Sequence, residues 1–481
     1  MFRGSSDEPS TGARGPPNKR RLHRDTGGSD VTAAESSLPT RNAEGAKRGL
    51  HAQSARNSRR SCSGPPEKET RGMRGRKRSR KMRDCTRSRY RSRLLAGALA
   101  LIGIFVVAAA GCGSDDSESD SGGGNADITE AQAIVDENLA EVGDFSGPTT
   151  VRTPPKNKHV LIINCAGASV GCTSQTRSAE EAAKSLGWET TVIDGQGDPN
   201  RYNDAIQQGI SLGVDGIVLA SIDQRLVQDS LRDAKAAGIN VVSQWSGNIG
   251  PSAEYIGKED AEPGPNTVEM ETPQPDVEAG RAMAAYAITQ TDGEAHVLML
   301  TTPEFPNEDA KAKSFRESLA ELCPSCEIVD EQKVNQAQAT TQVPETVKAR
   351  LGANPEINVI WVPYDDIGIL ADQGVRETGR TDDVTIVSTV GIAPGLELIC
   401  GGESSMKATI AEAPIWPGHA SIDALVLLFT GGEVATPELF EEYTTPTRLI
   451  TEENCSSLSS EGNWNGDYDI PAAWQELWGV N

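Results

Sequence analysis

From residue 159 onward, short apolar runs alternate with helical stretches that stop at glycine, and this rhythm limits the chain to few folds. Residues 159–163, 216–220 and 239–243 are runs of the kind buried on both faces of a sheet, and 188–193 reads as a further strand. Between them, 178–186, 200–212 and 224–237 read as helices ending at Gly187, Gly213 and Gly238. Strands alternating with helices of this length imply right-handed crossovers and a parallel sheet. The rhythm stops over 258–275, where Pro263, Pro265, Pro273 and Pro275 forbid a continuous helix or central strand. It then restarts, with helices expected at 277–290, 310–322, 346–351 and 367–378 and strands at 295–300, 327–334, 359–362 and 384–388. A last set comprises strand 408–411, helix 420–429 and strand 448–450. The fold class is therefore α/β, with two parallel sheets of similar size separated near 258–276. A helical or linker segment at 128–157 precedes them, and an extension at 452–481, carrying Trp464, Trp474 and Trp478, packs on a lobe.

Charge divides the chain differently. The first 111 residues hold 25 Lys and Arg against 9 Asp and Glu, while the whole chain of 481 has a net charge of −23. The folded part is thus strongly acidic, which repels polyanions and argues against a nucleic-acid role. Residues 1–81 are rich in Arg, Ser and Gly and lack apolar periodicity, so they read as a disordered basic region or as upstream of the true start, with Met73 and Met82 as candidate starts. From Met82 a cationic stretch leads into an apolar run of 17 residues at 94–110, and together 82–111 reads as an export signal. Ala109, Ala110 and Gly111 stand directly before Cys112, an arrangement that resembles the bacterial lipobox, in which the cysteine is acylated and becomes the new N-terminus. Residues 112–127 then form an acidic Gly/Ser-rich tether. The expected location is extracytoplasmic, with the protein held to the cell membrane as a lipoprotein.

Nine cysteines fit that compartment. Cys62 and Cys85 precede the cleavage point and Cys112 takes the lipid, which leaves six. Their positions suggest the pairs Cys165 with Cys172, Cys323 with Cys326, and Cys400 with Cys455, although six cysteines admit other connectivities. The Cys323-Pro324-Ser325-Cys326 run follows an amphipathic stretch and so falls at a helix C-terminus, where the dipole raises rather than lowers a thiol pKa. A structural bridge is expected there rather than a redox pair.

Several ordered motifs carry a family resemblance. They are Asp194-Gly195-Gln196-Gly197-Asp198-Pro199, Ala205 to Ile210 followed by Val214 to Leu219, Ala236 to Val242, and Met406 to Ala411. In order and spacing they resemble the type I periplasmic binding proteins of the ribose-binding kind. The resemblance implies two Rossmann-like lobes on parallel sheets, the first from 158–262 and 411–434 and the second from 276–410 and 435–451, joined by three crossover strands and closing on a ligand at the carboxyl ends of the strands. Two crossings besides 258–276 are then expected near 392 and 435. It further implies a small polar, sugar-like solute as ligand, an ABC permease as partner and a monomeric receptor. The alternative is a sensor that presents its closed form to a membrane signalling partner.

Candidate ligand residues follow from strand ends and from the resemblance. Asn164 and Ser169 are the polar groups of the first loop, where a plain loop role is equally open. Gln244 and Trp245 stand where relatives carry an Asp-Arg style pair; Trp245 either stacks on a sugar face or packs in the core. Tyr364 and Asp365 stand where relatives carry Asn-Asp, Lys311 where sugar binders place Arg, and Glu412 where Gln is frequent. Thr389-Val390-Gly391 departs from the family's Phe-Asp-Gly. No catalytic residue, cofactor or metal is expected. The chain has no HExxH pattern, Gly195-Gln196-Gly197 lacks the third glycine of a dinucleotide site, and His159, His296 and His419 are scattered.

Overall fold

The computed structural model describes residues 128–258 and 261–480. The basic region, the export signal, Cys112 and the tether expected up to 127 lie outside the described residues. Helix α1 (Thr129–Leu139) comes first. The first lobe then runs β1 (His159–Asn164), α2 (Val170–Ser185), β2 (Glu189–Asp194), α3 (Pro199–Leu212), β3 (Gly216–Ala220), α4 (Gln228–Ala236), β4 (Asn240–Gln244), α5 (Pro251–Tyr255) and β5 (Met270–Thr272). The second begins with α6 (Asp276–Gln290), β6 (His296–Thr301), α7 (Pro306–Leu322), β7 (Glu327–Lys333), α8 (Ala339–Ala353), β8 (Val359–Trp361), α9 (Asp365–Thr378), β9 (Thr385–Val390), α10 (Ala393–Cys400) and β10 (Met406–Glu412). Helices α11 (Trp416–Thr430) and α12 (Pro437–Tyr443), strand β11 (Thr447–Thr451) and helix α13 (Ile470–Trp478) complete the chain.

Two sheets form, ordered β2-β1-β3-β4-β5 and β11-β10-β9-β8-β6-β7. Both repeat one parallel pattern in which the second strand lies outside the first and the third on its other side. Each sheet therefore has a switch point between its first and third strands, where crossovers leave in opposite directions and open a crevice at the carboxyl ends. Fully buried Val, Ile and Leu fill β1, β3, β6 and β8, as sheets covered on both faces require.

Three differences from the sequence-based expectation have local causes. Helix α2 begins at Val170 rather than 178, because Ser169 caps it, its hydroxyl oxygen accepting from the Cys172 N–H. Helix α8 runs through Pro344 instead of starting after it. Strand β11 is antiparallel to β10, with Glu412 facing Thr447. That direction follows from the path: the chain leaves β10 at the cleft end, crosses to the first lobe and re-enters at the same end.

The crossings also move. Helix α10 stays against α9 and β10. The second crossing comes at 413–415 and the third at 444–446, later than 392 and 435. Helix α12, assigned from sequence to the second lobe, belongs with the first: Leu439, Phe440 and Tyr443 join the apolar cluster of β1, β3 and β4. The aromatic extension packs there too. Trp474 meets Trp416 at 5.3 Å and Phe145 at 5.3 Å between ring centroids, and Trp478 stacks on His419 at 5.9 Å.

The six cysteines pair as Cys165–Cys172, Cys323–Cys326 and Cys400–Cys455, with Cα separations of 5.7, 5.3 and 5.8 Å. Cys323 is the C-cap of α7.

Candidate functional site

The two switch points face each other across one cleft with about 510 Å³ of empty space, part of it open to solvent. From the first lobe, the loop after β1 contributes Ala166, Ser169, Gly171 and Cys172, fastened by the Cys165–Cys172 bridge. Ser221 follows β3 and exchanges hydrogen bonds with Gln175 of α2, the shorter at 2.9 Å. Trp245 follows β4; its indole N–H donates to Thr445 Oγ1 at 2.7 Å, which fixes the ring in the cleft wall.

The loop after Trp245 is held by a carboxylate. Buried Glu271 accepts from the backbone N–H groups of Ser246 (2.7 Å), Gly247 (2.5 Å) and Asn248 (2.7 Å). Three convergent N–H donors fold the loop around one anion, which leaves none of them unpaired.

From the second lobe come Phe305, Asn307 and Glu308 after β6, then Gln336, then Tyr364 and Asp366 after β8, and Val390 at the end of β9. Phe305 and Tyr364 meet edge to face at 6.0 Å, and the Tyr364 hydroxyl donates to Gln336 Oε1. Ser221, Trp245 and Val390 all have positive φ, of 50°, 49° and 86°. Such backbone is costly for side chains with a Cβ, most of all for a β-branched one, and three such residues lining one cleft mark a site whose shape is imposed by its surroundings.

Of the eight ligand candidates read from sequence, Ser169, Trp245 and Tyr364 line the cleft, and five do not. Asn164 ends β1 beneath it. The Gln244 amide turns onto α11, donating to Ser421 Oγ at 2.8 Å. Asp365 sits behind the wall, accepting from Ser388 and Thr409 hydroxyls and from the Ile392 N–H. One residue further round the first turn of α9, Asp366 faces the cleft instead. Lys311 and Glu412 are paired at 3.0 Å in a fully buried cluster with Asp276 and Glu308. Ser221, Phe305, Asn307 and Glu308 were missed although they follow strand ends and obey the same rule. Gln175 and Gln336 come from neighbouring helical segments, and only the closed geometry brings them in.

Electrostatically the cleft is acidic. Burial pushes the Glu308 carboxyl up to about 7 against the pull of Lys311. Burial likewise raises Asp365 to about 7, opposed by its hydrogen bonds, and Asp366 to about 6, opposed by Ser169 and the Val170 N–H. Burial alone would lower Lys311, but Glu308, Glu412 and Asp276 together outweigh it and hold the lysine charged. Among the described residues no group of three or more His, Cys, Asp and Glu side chains is arranged to hold a metal ion.

The profile of the periplasmic binding protein domain matches residues 160–433. The chain belongs to that family. It is 23% identical over 247 residues to the D-apiose import binding protein of Actinobacillus succinogenes, across 50% of this chain and 72% of the relative. Against the ribose import binding protein of Bacillus subtilis it is 22% identical over 261 residues, 54% and 78% of the two chains. In fold it is similar to the Caulobacter myo-inositol binding protein solved with myo-inositol, at a TM-score of 0.54 and 22% identity, over 64% of this chain and 99% of that one. As a periplasmic binding protein it is a solute-binding protein rather than an enzyme.

Proposed function

We propose that this protein is a lipid-anchored extracytoplasmic receptor that captures a small polar, sugar-like solute and delivers it to an ABC permease. The observation that carries the reading is the cleft at the two facing switch points, where hydroxyl and amide groups of Ser169, Gln175, Ser221, Asn307 and Gln336 surround the rings of Trp245 and Phe305. Rings suit the flat C–H faces of a polyol, and the polar groups suit its hydroxyls. The relatives named for ribose, D-apiose and myo-inositol support the same ligand class. A solute touching both lobes stabilises the closed arrangement and so shifts the population toward the form a permease recognises. The anchor rests on the sequence, with Cys112 after small residues and an acidic Gly/Ser-rich stretch beyond it.

A thermal-shift panel of pentoses, hexoses and cyclitols tests the reading. A ligand at about a hundred times its dissociation constant adds about 2.7 kcal/mol of stability. The expected outcome is a shift that disappears in Trp245→Ala. A cooperatively melting protein with no shift across the panel rejects sugar-like capture and favours the sensor reading.

A further inference from the structure

We infer that the solute taken by this cleft carries a protonated amine on a polyol frame, and that its ammonium group sits against Glu308. The inference rests on the capture reading above and narrows its ligand class. Glu308 is only 5% exposed and lines the cleft. Its Oε1 accepts from Asn307 at 2.8 Å and from Lys311 at 3.4 Å, whereas its buried Oε2 has no partner. A buried carboxylate oxygen without a donor is costly, and a ligand N–H⁺ supplies what is missing.

Charge points the same way. Lys311 is the one cation shared among Asp276, Glu308 and Glu412, and it is fully buried behind the wall. Asp366 adds a further carboxylate to the lining, and among the described residues no Lys, Arg or His lines the cleft. The N-terminus of α2 is already engaged: Asp366 receives the Ser169 hydroxyl at 3.4 Å and the Val170 N–H. An anionic solute therefore meets two carboxylates, a neutral one leaves the Glu308 oxygen dependent on a hydroxyl, and a cation corrects the deficit. Trp245, Phe305 and Tyr364 also present three rings to the same space, which suits an ammonium through cation–π attraction.

Matched pairs test this on the purified protein: glucose with glucosamine, galactose with galactosamine, and sorbitol with its 1-amino-1-deoxy counterpart, each titrated calorimetrically at pH 7.5. At least one amino member is expected to bind tenfold or more tightly than its neutral partner. Glu308→Gln should bring the two within about threefold while leaving the melting transition cooperative, and N-acetylation of the amine should abolish the preference. Neutral members binding as tightly as amino members would overturn the inference and leave solute capture standing. An amine preference that survives Glu308→Gln would overturn the placement at Glu308. If neither member of any pair binds, the capture of polyols falls and this inference falls with it.

Discussion

Lys311 shows what a buried charge does when its partners outnumber it. The lysine is fully buried and faces three carboxylates. Removing one member of such a cluster leaves uncompensated buried charge, so Lys311→Met should cost about 3–5 kcal/mol in urea denaturation at pH 8. The cost should shrink toward pH 6, as the stranded carboxyls take up protons. The unmutated protein also responds to pH. Glu308 titrates at about 7 against an ordinary 4.5, and Asp365 at about 7 against 3.8. A raised pKa contributes stability that is complete below the unfolded value and lost as pH rises through the folded one. His419 is lowered to about 4 by burial and acts oppositely, its contribution being lost as pH falls from 6.5 toward 4. Between pH 6.5 and 8 the carboxyls dominate, and unliganded stability should fall by on the order of 1 kcal/mol. A flat profile would show that neither carboxyl is protonated in the folded state. None of this was legible from sequence. The sequence marks Lys311 and Glu412 only as expected ligand residues, and position alone does not reveal that they face each other, since their pairing spans 101 residues.

Elements were far more legible than side chains. Strand runs and glycine stops depend on local steric rules, so β1, β3, β4 and the ends of α3 and α4 fall near their expected places. Pairing at close range is different. Helix α11 lies against α2, and a Cβ at Gly418 would collide with the backbone of Ala179 and the hydroxyl of Ser178. Nothing in the α11 sequence identifies Gly418 as the contact, because the requirement belongs to two helices 237 residues apart, as the Ser178 hydroxyl bond to the Ile415 carbonyl shows. Gly418→Ala should separate the helices at a cost of about 1–3 kcal/mol despite its gain in helix propensity. Equilibrium denaturation measures this directly, and a neutral or stabilised Gly418→Ala would mean the two helices can part without loss. Because α11 also holds the Gln244 amide, the same variant should loosen the end of β4 and raise hydrogen exchange around Trp245.

At the scale of the whole molecule, the lobes are joined on one side and merely touch on the other. On the joined side, α1 packs on α6, Arg152 pairs with Asp423 at 2.8 Å, and Arg448 of β11 reaches the Leu139 carbonyl at 3.0 Å and Asp467 at 3.1 Å. These contacts tie the segments before β1 and after β11 across the hinge. On the open side, α5 of the first lobe meets α7 of the second. Lys313 donates to the Tyr255 carbonyl at 2.7 Å and lies 3.8 Å over its ring, while the Tyr255 hydroxyl donates to Glu317. These are rim contacts in reach of water, so each is worth little to folding. They exist only while the lobes are together, however, and their whole value weighs on closure. Losing about 1 kcal/mol from the closed form weakens a ligand that needs it about fivefold. Tyr255→Ala should therefore lower solute affinity by that factor, enlarge the unliganded radius of gyration in solution scattering, and leave the unliganded melting temperature nearly unchanged. Equal affinity and equal scattering would mean that closure is governed by the cleft alone, with Ser169 and Asp366 as the bond that matters.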